Sequence, residues 1–490
     1  MIRSNYNHTT YVSSYPIRTI LVRKDKLPLL HERMLSYISS GGSKGIDNHS
    51  IDILKNCLPL TFPVHTSLNT NDTIKTIIRN NYWMQKEVST NNALGIDLVS
   101  GEAILNRIEK DALFSSSSST LSLSTTTNFE NSPSITIPSI IQQYVTTPLL
   151  YKQSKFHCRV NVIAFGCNPI SVYIHKDIIC HVSCEPWSLP KNNNLIHDET
   201  TKDPTETSAS SGTTSLPTDD INLQRYIHIT NHTVQRTHPN YQRKIHTLTL
   251  QEIINNIDKE WQTTNNIPTL TENTSNSSLI SFSNDSYYSQ IFKDICTIIQ
   301  TIFASITVSS SSMNSNSCTT ETISNNINTS LLSSSSSSPV SNTVPFIPIK
   351  NGFEIYGFDF LLSTQPVNSN QSMGSINSSS SIQTTNILDH IYPILLEINA
   401  GPALEGLAWP LMCRRVVGDI VDLIDQFIPL SIRTMISMDT SIVDDTNIDK
   451  HNKNISIESN MTIPTPTYSD AENNTHYPIP DEDNGFIRIL

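Results

Sequence analysis

Tracts of Ser, Thr and Asn cut this chain into segments, and any fold must be assembled from what lies between them. They run over Ser115–Thr127, Ser188–Asp219, Ser309–Ser338 and Ser363–Thr385, and a similar stretch covers Ser431–Asn484. Such residues bury too little apolar surface to offset the entropy of ordering them. Each tract sits between segments of strand or helix character, where extra loop length costs little free energy, so the tracts read as expansions of surface loops. The composition agrees: of 490 residues only 37% are hydrophobic and 16% charged, against typical shares of roughly 45–50% and about 25%.

The remaining segments alternate between helical and strand patterns. Apolar periodicity predicts helices over Leu27–Ile38, Ile104–Leu113, Leu248–Trp261, Tyr288–Ile306 and Leu407–Phe427. Strands are expected over Tyr82–Lys86, Ile140–Tyr144, Phe156–Phe165, Ser171–Ile174, Tyr226–His232, Phe353–Leu362 and Pro393–Ile398, with Asn168-Pro169 as a short hairpin turn. This order indicates an α+β or α/β layered fold. The terminal run Gly485–Leu490 alternates apolar and polar residues and could dock as a strand.

Charge and cysteine content narrow the function classes. There are 32 basic and 44 acidic residues, a net charge of −12, which argues against general binding to nucleic acid or to an anionic membrane. No segment approaches the roughly 20 uninterrupted apolar residues needed to span a bilayer, and the first residues lack a signal-peptide core, so the expectation is a cytoplasmic protein. The eight Cys show no CxxC spacing and read as reduced packing residues rather than a zinc or redox site.

Two C-terminal segments carry the sharpest chemistry, GFEIYGFDFLL at 352–362 and YPILLEINAGPA at 392–403. Strand side chains alternate faces, so Asp359 opposes Phe358 and Phe360, while Glu397 and Asn399 share a face. If the strands pair, three oxygen-bearing side chains converge, a ligand set suited to Mg²⁺ with phosphates and water completing its octahedron. The competing reading makes both acids half-buried strand residues paired with Lys or Arg. Lys86, Lys155 and Arg159 are candidate cations for an anionic ligand. Lys152 to His181 contains Lys152, Lys155, Arg159 and Lys176 against the single acid Asp177, and Arg225 to His246 contains four Lys or Arg and no acid. These stretches suit phosphates or an acidic peptide, or form a solvated basic face. His228, Thr230 and Asn231 could hydrogen-bond a nucleotide sugar or cap a turn.

Taken in order, IIQQYVTTPLL, KFHCRVNV, SCEPW, HITNH, FEIYGFDF and LLEINAGPA resemble the tubulin–tyrosine ligase family, whose fold is ATP-grasp. The resemblance covers about 140–403 and implies an α+β fold of mixed or antiparallel sheets with flanking helices. It implies a shortened N-terminal domain at 1–72, a central ATP-grasp domain at 73–265, a C-terminal ATP-grasp domain with the metal site at 266–430, and a tail at 431–490. By the same resemblance Lys86 and Lys155 contact ATP phosphates, and Gln142, Gln143, Tyr144 and Val145 line the adenine pocket. His228, Ile229, Thr230, Asn231 and Ile398 lie against the nucleotide, and Asp359, Glu397 and Asn399 hold Mg²⁺. Arg159, with His157 and His181, faces the substrate, and Lys155, Arg159 and Glu397 are the catalytic set.

The implied reaction adds free tyrosine to the C-terminal glutamate of detyrosinated α-tubulin through an acyl phosphate, with ATP and Mg²⁺ as cofactors. The implied setting is a monomer acting on the acidic tail of the tubulin dimer at the microtubule cytoskeleton. SCEPW, ILVRKDKLPLLHE, NCLPLTFP and the terminal FIRIL point toward tyrosine addition. The sequence departs from the family at four places: the loop Glu87–Asp97 lacks its Gly-rich Lys stretch, Gln143 stands for a Lys, His157 for an Asp and His181 for an Arg. These departures keep two alternatives open, a tubulin-binding protein without turnover and a ligase that adds glutamate or glycine.

Overall fold

The longest strand of the chain organises the fold around itself. In the computed structural model, which describes residues 12–42, 45–64, 71–88, 95–117, 139–167, 169–190, 218–264, 285–307, 346–367, 386–401, 410–427 and 484–490, strand β6 runs over Ser154–Phe165. Phe156, Cys158, Val160, Val162 and Ala164 face the main apolar core. The alternate positions begin with Lys155, His157 and Arg159 and end with Ile163 and Phe165 in a second apolar cluster. One strand thus anchors two cores and carries a polar row between them, which is what period-two geometry allows.

Eleven further strands and eleven helices are described, in chain order. The strands are β1 (Thr61–Pro63), β2 (Tyr82–Glu87), β3 (Ile96–Ser100), β4 (Ser139–Gln143), β5 (Leu150–Tyr151), β7 (Ser171–His175), β8 (Ile179–Pro186), β9 (Thr247–Thr249), β10 (Phe353–Ser363), β11 (Tyr392–Ala400) and β12 (Phe486–Arg488). The helices are α1 (Thr19–Val22), α2 (Leu27–Tyr37), α3 (Asn48–Asn56), α4 (Asp72–Arg79), α5 (Gly101–Ser117), α6 (Thr218–His228), α7 (His232–Gln235), α8 (Arg243–His246), α9 (Leu250–Thr264), α10 (Asp285–Thr307) and α11 (Pro410–Phe427).

The strands form two sheets, both antiparallel at every described pairing. The smaller has the order β1-β4-β2-β3; the larger runs β11-β10-β6-β7-β12, with β5 and β8 also against β6 and β9 against β8. Helix α10 buries Ile291, Ile295, Ile298, Ile302 and Ile306 at the spacing of one helical face, and α2 adds Leu27, Leu30 and Met34 to the same core. The small sheet has its own cluster, in which Ile74 and Ile78 of α4 meet Trp83, Ile141 and residues of α5. Gly101 joins β3 to α5 where a Cβ would lie 1.7 Å from the Ile78 carbonyl oxygen, so the close approach of α4 requires glycine.

The α+β class is as expected, and the terminal alternation does dock: Phe486, Ile487 and Arg488 pair with His175, Ile174 and Tyr173. Three local expectations are corrected. Tyr226–His232 is not a strand; α6 continues to His228, Ile229 N–H still donates to the Arg225 carbonyl, and the Asn231 side chain accepts from Thr233 N to cap α7. Capping chemistry and helical hydrogen bonds outweigh the β-branched alternation there. The turn between β6 and β7 is longer than a tight pair, since Phe165 is opposite Ser171 and Gly166 adopts φ +72°. Helix α9 starts at Leu250, because Thr247–Thr249 extends the sheet beside β8. The Ser/Thr/Asn tracts lie outside the described residues except at their edges, as does the first part of the helix expected from Leu407.

Candidate functional site: a cleft between the two sheets

The ends of β2 and β4 in the small sheet face β6, β10 and β11 of the large one across a cleft open to solvent. Its lining contains Lys86, Gln142, Gln143, Tyr144, Val145, Lys155, His157, His228, Ile229, Thr230, Asn231, Asp359 and Glu397. Thirteen residues proposed from separate stretches of sequence therefore meet in one place. Met84, Ile96, Leu361 and Leu396 complete the wall. Met84 and Leu361 lie two positions from Lys86 and Asp359, so strand alternation alone could have found them.

The acidic end follows from strand register. β10 and β11 pair antiparallel with Asp359 opposite Glu397, and a register shift follows Asp359. Asn399 Nδ2 donates to Asp359 Oδ2 at 3.0 Å and to Glu397 Oε1 at 3.1 Å, tying the three side chains together. On its other side β10 pairs with β6, which sets Asp359 opposite Arg159. The guanidinium makes a fork to this carboxylate, through Nε to Oδ1 and through Nη2 to Oδ2 at 2.9 Å. Both readings of the acids thus meet in one residue: Asp359 is a buried partner of Arg159 and also part of the three-residue oxygen set. Arg159 points to Asp359 and does not line the cleft. Ile398 alternates to the opposite face and packs in the main core, so its side chain lies away from the cleft.

Burial sets the protonation of this end. Desolvation pushes Asp359 up to about 6 even though Arg159 pulls it down. For Glu397 desolvation also acts upward, but Lys86, Lys24, Asn399 and Arg159 together outweigh it and hold the carboxyl below its usual range. Lys24 was not foreseen as a contributor; it acts electrostatically on Lys86 and Glu397 from the short turn preceding α2.

The cationic end spans both sheets. Lys86 Nζ donates to Gln142 Oε1 at 2.7 Å, and Gln142 Nε2 donates to the Leu396 carbonyl at 3.1 Å, bridging small sheet to large. Lys155 Nζ donates to the His228 carbonyl at 3.1 Å and lies 4.4 Å from the Tyr144 ring centroid. Desolvation, with repulsion from Lys86, lowers Lys155 to about 7. Desolvation likewise lowers Lys86, reinforced by Lys24 and opposed by Glu397 and Asp359.

The rest of the wall is a neutral hydrogen-bonded chain. Trp187 N–H donates to Tyr144 Oη at 3.0 Å, Tyr144 Oη lies 2.8 Å from His228 Nδ1, and His228 Nε2 lies 3.1 Å from Gln224 Oε1. One tautomer satisfies all three contacts, with the proton on Nε2 of His228. Desolvation, and then Lys155, drops His228 to about 3, which keeps it neutral. His157 Nδ1 sits 2.7 Å from Thr230 Oγ1, and desolvation followed by Arg159 lowers that imidazole to about 3. His181 stands opposite His157 on β8, ring to ring at 5.1 Å, behind the cleft wall. The loop at 89–94 lies outside the described residues.

An oxygen ligand set, two buried lysines and an apolar slot at one sheet junction suit a nucleotide with a divalent cation. Over residues 4–199 the chain matches the tubulin-tyrosine ligase family. That stretch carries Lys86, Gln142–Val145, Lys155, Arg159 and His181, and the resemblance read from the motifs holds. Relatives include tubulin polyglutamylase TTLL11 of Mus musculus, 35% identical over 60 residues, and tubulin polyglutamylase TTLL13 of Homo sapiens, 34% identical over 56. Tubulin polyglutamylase TTLL7 of Xenopus tropicalis is 22% identical over 104 residues. These matches cover 12%, 11% and 21% of this chain and span only 8%, 7% and 8% of the relatives' own lengths. Among solved structures, a similar one is the C-terminal domain from K. lactis Pby1, described as an ATP-grasp enzyme interacting with the mRNA decapping enzyme Dcp2. It has a TM-score of 0.41 and 13% identity, over 99% of this chain and 82% of that one.

Proposed function

We propose that the chain is an ATP- and Mg²⁺-dependent ligase of the ATP-grasp type that joins an amino acid to a carboxylate on a tubulin tail, and that the amino acid is glutamate. The observation that carries this is the meeting of Lys86, Lys155, Asp359 and Glu397 in one cleft between two sheets, with Asn399 hydrogen-bonded to both carboxylates. Glutamate is preferred over the tyrosine expected from the SCEPW and FIRIL segments because the relatives quoted above are named polyglutamylases.

The residues fit the implied cofactors. Asp359 and Glu397 supply hard carboxylate ligands for Mg²⁺, and the Asn399 amide, which donates to both through Nδ2, would have to turn over to add its oxygen. Lys86 and Lys155, both held below the usual lysine range by burial, gain charge stabilisation from phosphates placed beside them. Bound ATP would supply a phosphoryl group to an acceptor carboxylate, making it a good acyl donor. The α-amine of the incoming amino acid then attacks that carbonyl, phosphate leaves, and an amide forms. In this sequence Lys86 and Lys155 neutralise charge on the transferring group, and Arg159, two positions along the face of β6, orients the acceptor and stabilises its oxyanion. Asp359 would hold the cation with the same oxygens that grip Arg159, which would leave guanidinium donors of Arg159 available for that role.

The test is transfer of labelled glutamate and labelled tyrosine, in parallel, onto tubulin by the purified chain. ATP-dependent incorporation of glutamate above tyrosine is the expected result. Preference for tyrosine would reverse the choice of amino acid. Incorporation of neither, with tight ATP·Mg²⁺ binding and an active relative as control, would replace the ligase with a nucleotide-binding protein that lacks turnover.

A further inference from the structure

A second polar cluster adjoins the cleft; it is built around the His157 and His181 that the family resemblance turns toward the substrate, and no step of the reaction above draws on it. His157, His181 and Thr247 are successive cross-strand partners on β6, β8 and β9, so they form a row on one face of the sheet that starts at the cleft wall. The row continues through ring contacts, His181 to His232 at 5.7 Å and His232 to Tyr241 at 5.7 Å. Thr247 is 0% exposed and His181 is 9% exposed. Three polar atoms along it, His181 Nδ1, Thr247 Oγ1 and Tyr241 Oη, are enclosed and have no hydrogen-bond partner among the described residues. Native proteins seldom leave one such atom unpaired, and three in one cluster around His181 and His232 point to a missing partner.

The chemistry of the row says which partner. A hydroxyl, a phenol and a neutral imidazole can each donate one hydrogen bond, and a carboxylate is an acceptor with room for several. Arg243, on α8, lies near enough to influence both His181 and His232, and Arg159 also acts on His181. The surroundings are therefore electropositive without a carboxylate in the row. An aromatic ring placed there would leave the three polar atoms unpaired, and a site built to hydrogen-bond its ligand rejects one that cannot do so.

Resting on the ligase reading, we infer that the row His181–Thr247–Tyr241 is the subsite for the side-chain carboxylate of an acidic amino acid entering the cleft past His157. It discriminates glutamate from glycine by contacts and from tyrosine by polarity.

Thr247→Val and Tyr241→Phe each delete one unpaired oxygen with little change of shape. Each variant is expected to lower kcat/KM for glutamate about tenfold relative to glycine, through KM, with KM for ATP unchanged. Because each oxygen lacks a partner in the fold, both variants should also keep or raise Tm, which a purely structural hydroxyl would not do. Unchanged amino-acid selectivity in both variants, with wild-type ligation intact, overturns the subsite and leaves the ligase standing. Calorimetric titration of glutamate into wild type and Thr247→Val, each with ADP and Mg²⁺, separates the two ideas. Binding that is lost in Thr247→Val, in a chain that transfers no amino acid, supports the subsite and removes the ligase. Absence of glutamate binding to a wild-type chain that also transfers none removes both.

Discussion

Lys155 offers the sharpest test of the cleft, because the same burial that suits it to a phosphate should make it a liability to the fold. Its ammonium has an ordinary value of 10.5 and is lowered to about 7, first by desolvation and then by Lys86. That lowering corresponds to about 5 kcal/mol against the charged form. The native contacts return part of it: a hydrogen bond to the His228 carbonyl and a cation–π contact with Tyr144, together about 2–3 kcal/mol. Lys155→Met keeps the stem, removes the charge, and is expected to stabilise the protein by about 2 kcal/mol at pH 6.5, which is about 3 °C in Tm for a protein of this size. Nucleotide affinity should move the other way, falling about 100-fold as a charge-assisted phosphate contact is lost. The pH dependence has a definite sign. Between pH 7 and 10.5 the unfolded chain holds a proton on Lys155 that the native chain has released, so native stability rises with pH across that window. In Lys155→Met this slope disappears. Differential scanning fluorimetry from pH 6 to 10, with and without ATP·Mg²⁺, reads all three effects. A variant that is less stable than wild type at pH 6.5 yet binds ATP as tightly would refute the reasoning, since Lys155 would then be a structural residue held by its hydrogen bond.

Glu397→Gln preserves shape and the hydrogen bond from Asn399 but removes a charge beside Lys86; the Mg²⁺ concentration for half-maximal ATP binding should rise at least about tenfold, and an unchanged Mg²⁺ titration would exclude Glu397 from the metal set. Deleting 484–490 strips β12 from β7, takes buried Phe486 out of the second core and removes the contacts of Asn484 and Gly485 with Asp419; unfolding in urea should show a loss of at least about 3 kcal/mol, whereas an unchanged midpoint would make the terminal strand dispensable. Gly101→Ala drives a Cβ into the Ile78 carbonyl and should cost about 2 kcal/mol or more, seen as a lower Tm.

What the sequence disclosed was the content of each strand, because alternation is a local property. Asp359 between two phenylalanines, and Glu397 with Asn399 two apart, were legible as polar positions on otherwise apolar strands, and Lys155 with Arg159 likewise on β6. Local rules failed where two local signals competed. In HITNH the β-branched alternation suggested a strand, yet the Asn231 side chain caps α7 and the preceding residues complete α6. Other features were illegible because they depend on register between segments far apart in sequence. Nothing near Asp359 in the chain says that Arg159 will stand opposite it, 200 residues away, or that the next strand over will bring Glu397 to its other side. Nor does any pattern in residues 247 or 181 announce that they will be neighbours; the family resemblance set His157 and His181 toward the substrate, but Thr247 and Tyr241 had no precursor in the sequence. These two consequences of register divide the labour of the site. The Arg159–Asp359–Glu397 row holds charges that compensate one another and can be redistributed by a cation. In the His157–His181–Thr247 row His157 is already bonded to Thr230, while His181 Nδ1 and Thr247 Oγ1 have no hydrogen-bond partner among the described residues. On the proposed ligase reading, phosphate handling would fall to the first row and amino-acid choice to the second, so substitutions in the two rows should separate ATP affinity from amino-acid selectivity.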